Sequence, residues 1–125
     1  MEILFQDRDI AVIVKPVGMD SEKEIPQALK QLGGDFYPVH RLDQNVSGVM
    51  VYARNPAAAA ELSRQIACGS FVKEYVALVH GTPPQSGDWQ DLLFKDSRRN
   101  KVFVVKRERK GVKSARLEFR RVVHR

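Results

Sequence analysis

Hydrophobic and polar positions change period several times along this 125-residue chain, and each change marks an element. Residues 2–6 and 10–15 are two short apolar runs split by Asp7-Arg8-Asp9, a strand–turn–strand pattern that ends where Pro16 stops the ladder. Met19 to Glu24 is a polar loop. Ile25 to Leu32 predicts a short amphipathic helix, with Pro26 in its first turn and Gly33-Gly34 closing it. Val49 to Arg54 alternates like a strand. Asn55-Pro56 then opens the clearest helix, ending before Gly69, with Ala58, Ala59, Leu62 and Ile66 on one face as a core stripe. Phe71 to His80 reads as a long buried strand, and Thr82 to Gly87 as a loop. Trp89–Phe94, Lys101–Arg107 and Val112–Val123 read as further strands, the last two joined by Glu108-Arg109-Lys110-Gly111. Strands dominate, with two short helices between them. The pattern predicts an α+β fold around a mixed, largely antiparallel sheet, as a single domain over residues 1–125.

Composition narrows the picture without changing it. With 43% hydrophobic residues, the chain can build one core. No run approaches the roughly 18 apolar residues of a membrane span, and Met1 to Asp7 lacks the form of a signal peptide. The single cysteine, Cys68, excludes an intramolecular disulfide and points to a reducing compartment, with the cytoplasm as the expectation. Its place at the end of a helix fits a small buried packing residue better than a nucleophile. Three histidines (His40, His80, His124) without metal-ligand spacing predict no metal site.

The net charge of +6 is uneven. Residues 1–94 hold 8 Lys and Arg against 12 Asp and Glu; residues 95–125 hold 13 against 3. A dense basic stripe interleaved with Val102, Phe103, Val104, Val105, Val112, Leu117 and Phe119 predicts strands or a hairpin charged on one side, either a solvated face or, as favoured here, one that meets a polyanion. RNA is the expected partner, and Arg98, Arg99 and Lys101 are the candidate contacts.

One segment carries candidate chemistry: His40-Arg41-Leu42-Asp43-Gln44-Asn45-Val46-Ser47-Gly48. It sets a lone carboxylate beside an arginine and a small-residue turn, just before a strand. Such a carboxylate can serve as nucleophile or base, or merely accept backbone N–H bonds in a turn. The segment resembles the H-R-L-D-x-x-T-S-G signature of the RluA-type pseudouridine synthases. Lys15-Pro16-Val17-Gly18 is similar to the K-P-x-G motif that precedes it there, and Lys73 to Gly81 to the family's K-x-Y-x-A-x-V-x-G strand. Val46 departs from the pattern, standing where the family usually has Thr, and removes a hydroxyl near Asp43.

The resemblance implies an isomerase that works without cofactor or metal. It breaks the N1–C1′ bond of a uridine in ribosomal or transfer RNA, turns the base and rejoins it through C5. Asp43 would be the catalytic carboxylate, either attacking C1′ or removing a proton at C2′. Tyr75 would pack on the flipped base and help deprotonate C5; as a residue it also reads as an ordinary strand aromatic. Arg41 would fill the gap that the extruded base leaves, or simply pair with Asp43 or another carboxylate. His40, also placed toward the RNA, reads mainly as a loop anchor, and Lys15 and Gly18 as residues that shape the loop. Nothing in residues 82–125 matches the family's later T-G-R-x-H-Q-I-R-like motif, so the expectation is a C-terminally truncated catalytic domain. The alternative is a non-catalytic RNA-binding remnant of the same fold.

Overall fold

The structure, a computed structural model, describes residues 1–122. It is α+β, with every strand pairing among the described residues antiparallel, and it divides into two compact units: Met1–Glu74, and a second beginning at Tyr75.

The first unit is built on β1 (Glu2–Gln6), β2 (Ile10–Lys15), β3 (Tyr37–Pro38) and β4 (Gly48–Ala53), in spatial order β1-β2-β4-β3. The turn between β1 and β2 is tied by Asp7, whose Oδ1 accepts from the amides of Asp9 and Ile10 at 2.8 Å each. Ala11, Ile13 and Lys15 of β2 lie opposite Tyr52, Met50 and Gly48 of β4, so their side chains share one face. That face carries the core, which Ile25 and Leu29 of helix α1 (Glu24–Leu29) complete together with Phe36 and Leu42. The helix expected to Leu32 tightens instead into a 3-10 turn over Lys30–Leu32, closed by the Gly33 amide on the Lys30 carbonyl. Helix α2 (Pro56–Ala67) packs along β4 and β3. Asn55 caps it as its sequence announces, its Oδ1 accepting from the Ala58 amide at 2.8 Å.

Two expectations in this unit need correction. The α2 stripe is only half-buried, and no residue of that helix is fully buried. Cys68, expected in the core, is exposed. The helix ends at this residue, and Gly69 turns the chain away at φ 80°, so the thiol stays on the solvent side. Its Sγ lies 3.2 Å from Ser70 Oγ, a hydrogen bond that draws the thiol below its ordinary range.

Residues 71–80 form no strand. The apolar run from Val76 to Val79 is there, but a strand exists only where a neighbouring edge supplies hydrogen bonds, and among the described residues none runs beside this segment. Val76 and Leu78 are 96% and 103% exposed.

The second unit is a three-stranded sheet in the order β6-β5-β7. Strand β5 (Ser86–Asp96) is central; β6 (Lys101–Val105) and β7 (Val112–Arg120) flank it and do not pair with each other, as their short connection had implied. The strand expected to reach Val123 ends at Arg120, and Val123 lies outside the described residues. On one face Trp89, Leu93, Leu117, Phe119, Val102 and Val104 come together. The Trp89 and Phe119 rings meet at 4.5 Å, and Phe119 lies over Gly87, where any Cβ would come within 2.3 Å of the ring. No described residue of this unit is fully buried.

Candidate functional site

Asp43 projects from the loop between β3 and β4, its side chain 76% exposed. What fixes the loop is a set of bonds that reach it from the segment after β2. Lys15 ends β2 with its side chain fully buried, and its Nζ donates to three carbonyls: Pro16 and Met19 at 2.9 Å and Gln44 at 3.2 Å. An ammonium removed from water needs such acceptors, because an unpaired one costs several kcal/mol. The Gly18 amide donates to the Gln44 carbonyl at 2.7 Å, and Gln44 Nε2 returns a bond to the Gly18 carbonyl at 2.9 Å. Gly18 sits at φ 96°, where a side chain would be strained, so the close return of the chain selects glycine here.

Ser21 makes the second fastening. Its hydroxyl accepts from the Leu42 amide at 3.2 Å and donates to the Leu42 carbonyl at 3.1 Å, clamping the residue before Asp43 from both sides. The Ser21 carbonyl in turn accepts from the buried Tyr52 hydroxyl. Burial, and then the charges of Asp20 and Glu22, push that phenol above its ordinary range, so it stays a donor. Beyond Asp43 the chain turns back through the Val46 amide, which donates to the Asp43 carbonyl at 3.0 Å. The Val46 side chain packs against the core, so the methyl that replaces a hydroxyl here has an apolar place to go.

Arg41 stands between two carboxylates: Nη1 is 3.4 Å from Glu22 Oε1, and Nη2 is 4.0 Å from Asp43 Oδ1. All three side chains are more than half exposed, so these pairs orient more than they stabilise. Beside them lies a shallow cavity of about 130 Å³ lined by Asp20, Ser21, Glu22, Arg41, Leu42 and Gln44. A carboxylate on a fastened loop, beside a cation and an open hollow, can take part in displacement or proton transfer on a group delivered from solvent.

His40 faces inward. Its Nε2 accepts the Val51 amide at 3.2 Å and its ring lies 5.3 Å from that of Phe71, which fixes the neutral form with the proton on Nδ1. Burial first, and the charge of Lys73 second, lower its pKa from the ordinary value. The loop-anchoring reading of His40 is the one this geometry supports.

The structure brings Asp43, Arg41 and His40 onto one loop. Tyr75 belongs to the second unit, 62% exposed in the irregular segment. Arg98, Arg99 and Lys101 gather at the β5–β6 turn, where Asp96 Oδ1 accepts the amides of Arg98 and Arg99 at 3.0 and 3.3 Å. Sequence reasoning missed Ser21, Glu22 and Gln44. The only signal available was their place in a polar loop, and a bond across 21 residues leaves no local pattern.

This arrangement on an α+β frame is that of an RNA-modifying enzyme family. Residues 9–125 match the RNA pseudouridylate synthase family, and the chain belongs to it. It is 35% identical over 91 residues to the tRNA pseudouridine(31) synthase of Saccharomyces cerevisiae, covering 67% of this chain and 22% of that protein. It is 33% identical over 98 residues to tRNA pseudouridine synthase C of Haemophilus ducreyi, covering 70% and 40%. Ribosomal large subunit pseudouridine synthase C of Buchnera aphidicola is 30% identical over 119 residues, covering 87% and 38%. Among solved structures, human RNA pseudouridylate synthase domain containing 4 superposes with a TM-score of 0.71 at 26% identity, covering 92% of this chain and 51% of that one. The chain thus spans well under two thirds of the length of these relatives.

Proposed function

We propose that this chain is the part of an RNA pseudouridine synthase that carries the catalytic carboxylate, Asp43, and that it isomerises uridines of ribosomal or transfer RNA to pseudouridine. The observation that carries this reading is the double fastening of the Asp43 loop by Ser21 and Lys15, in a chain of this family. A family chain whose carboxylate served only as a turn acceptor would not need its loop held to a neighbouring segment at both ends.

In this reading Asp43 acts at the sugar, at C1′ or C2′, while the N1–C1′ bond breaks and the base rejoins through C5. Arg41 stands beside the carboxylate and enters the stack when the target base leaves it. Tyr75 packs on that base, and Arg98, Arg99 and Lys101 hold phosphates. His40 contributes by holding the loop. The reaction calls for no cofactor or metal and runs in the cytoplasm, where the exposed Cys68 stays reduced.

The openness of the site favours a second reading, an RNA-binding remnant without turnover: Asp43 is 76% exposed, and little there excludes water. Asp43→Asn separates the two, since it preserves shape and removes the charge. Pseudouridine formation on a uridine-containing stem-loop, followed by mass spectrometry, should be lost entirely in the variant while RNA affinity is kept. Equal turnover by both proteins would end the assignment of Asp43, and no turnover by the parent chain favours the remnant.

A further inference from the structure

The basic residues of the second unit do not line one side of the sheet; its topology gathers eight of the thirteen in the half built on residues 95–111. Strand β5 pairs with β6 only through its last five residues, Leu92 to Asp96. Two connections join this half of the sheet, one at each end of β6. The first is the β5–β6 turn, with Arg98, Arg99 and Lys101. The second, residues 106–111, runs from Val105, opposite Leu92 on one edge, to Val112, opposite Phe94 on the other. It therefore crosses β5, and it brings Lys106, Arg107, Arg109 and Lys110 with it. Arg109 marks the crossing, its Cζ 4.4 Å from the centre of the Phe94 ring.

Strand spacing of about 4.8 Å and a rise of about 3.3 Å per residue put both connections within roughly 20 Å of each other. Residues 95–111 hold eight Lys and Arg against Asp96 and Glu108, and 97–104 and 106–111 are exposed throughout. Among the described residues, Arg99 alone of these cations has an acid partner, Asp96 Oδ2 at 3.7 Å. Arg116, opposite Gln90 in the middle of β5, differs: it is 2.7 Å from both Asp88 Oδ2 and Glu118 Oε1, and its charge is used up there.

We propose that the β5–β6 turn and the 106–111 crossover together form one clamp for the phosphate backbone of a base-paired RNA segment, outside the Asp43 site. The inference rests on the reading of RNA as substrate and deepens it. Binders of single strands offer rings on which bases stack. Here Arg109 covers Phe94, Phe103 opposite it on β6 is only 39% exposed, and the unit's exposed tryptophan, Trp89, stands five residues back along β5, roughly 17 Å from Phe94, so eight cations face at most one half-covered ring. Two exposed cationic connections, entering and leaving β6 four residues or roughly 13 Å apart, suit phosphates on either side of a groove, which are read by shape and charge and not by sequence.

The test is fluorescence anisotropy on the full 125-residue chain with an RNA duplex of about 16 base pairs and a single strand of the same length. Arg98→Glu/Lys101→Glu and Lys106→Glu/Lys110→Glu should each weaken duplex binding at least about tenfold, and the log–log salt slope should flatten by roughly 0.9 for every phosphate that is no longer neutralised. Arg8→Glu/Lys30→Glu, the same charge change made in the first unit, should leave affinity within about twofold. Thermal unfolding confirms that each variant folds, and Lys106→Gln/Lys110→Gln, which should show a smaller loss in the same direction, replaces any that does not. Unchanged affinity in either connection's variant overturns the proposal, as does an equal loss in the first-unit control or tighter binding of the single strand. The assay reads binding alone, so a chain that shows these affinity losses but no turnover would count against Asp43 and leave the clamp standing.

Discussion

The two units solve the problem of apolar surface in opposite ways. Up to Glu74, a four-stranded sheet and a short helix bury Ile13, Ile25, Leu29, Met50 and Tyr52 almost completely, and acidic residues outnumber basic ones by 10 to 8. From Tyr75 on, a longer sheet buries nothing fully, keeps Trp89 54% exposed, and holds 13 basic residues against 5 acidic. The first unit commits its side chains to a core that fixes one loop. The second presents its side chains to whatever approaches. Precision of position and capacity for contact thus lie on separate stretches of one chain.

The comparison breaks most readily in the core. Ile13→Ala should cost roughly 2–5 kcal/mol, because the methyl groups it removes are fully enclosed. Val104→Ala, on the open sheet face, should stay within about 0.5 kcal/mol. Denaturant melts of both variants decide this, and equal losses would mean that the second unit has a hidden core of its own.

That contrast also explains what the sequence disclosed. Strands β1, β2 and β4 and the Asn55-Pro56 helix start were legible because local chemistry decides them: alternation, a cap, a proline at the first helical position. The strand pattern of residues 71–80 misled because an apolar run reports which side chains want cover and not whether a partner edge exists. Strand β3 was missed because two residues carry no period. At the site, Asp43 and Arg41 were visible through a nine-residue pattern, and Lys15 as a residue that shapes the loop, but the Ser21 clamp and the carbonyls that Lys15 holds were not. Each joins residues more than 20 positions apart, and neither needs a residue type unusual for a loop.

A sharper probe of the first unit is Ser21→Ala. It strips the Leu42 amide and carbonyl of their shared partner in a buried place and should cost about 1–3 kcal/mol. Hydrogen exchange at Leu42 and Asp43 should rise more than at β2, and uniform loosening would show that the clamp does not act locally.

The smallest effect concerns pH. The pKa of His40 is lowered in the folded chain from its ordinary value of 6.5, so its contribution is present above that value and is lost as pH falls through the folded pKa. Protonation would also set the ring against Lys73 and against the Val51 amide. The melting temperature should therefore drop slightly between pH 7.5 and 5.5. In His40→Gln, whose amide oxygen can still accept from Val51, the drop should shrink. An unchanged drop would assign it to other groups.

The cage around Lys15 also sets an order of events in the life of the chain. Three carbonyl oxygens take the place of water around its ammonium, much as an ionophore dresses a metal ion. Once the loops have closed, no acylating reagent or enzyme reaches that nitrogen, since the side chain has no exposed surface. Before they close it is an ordinary lysine, and acetylation would remove the charge the cage requires. A chemical mark at this position would therefore be written before the loops close, and the Asp43 loop would then keep its Ser21 fastening and lose the one from Lys15.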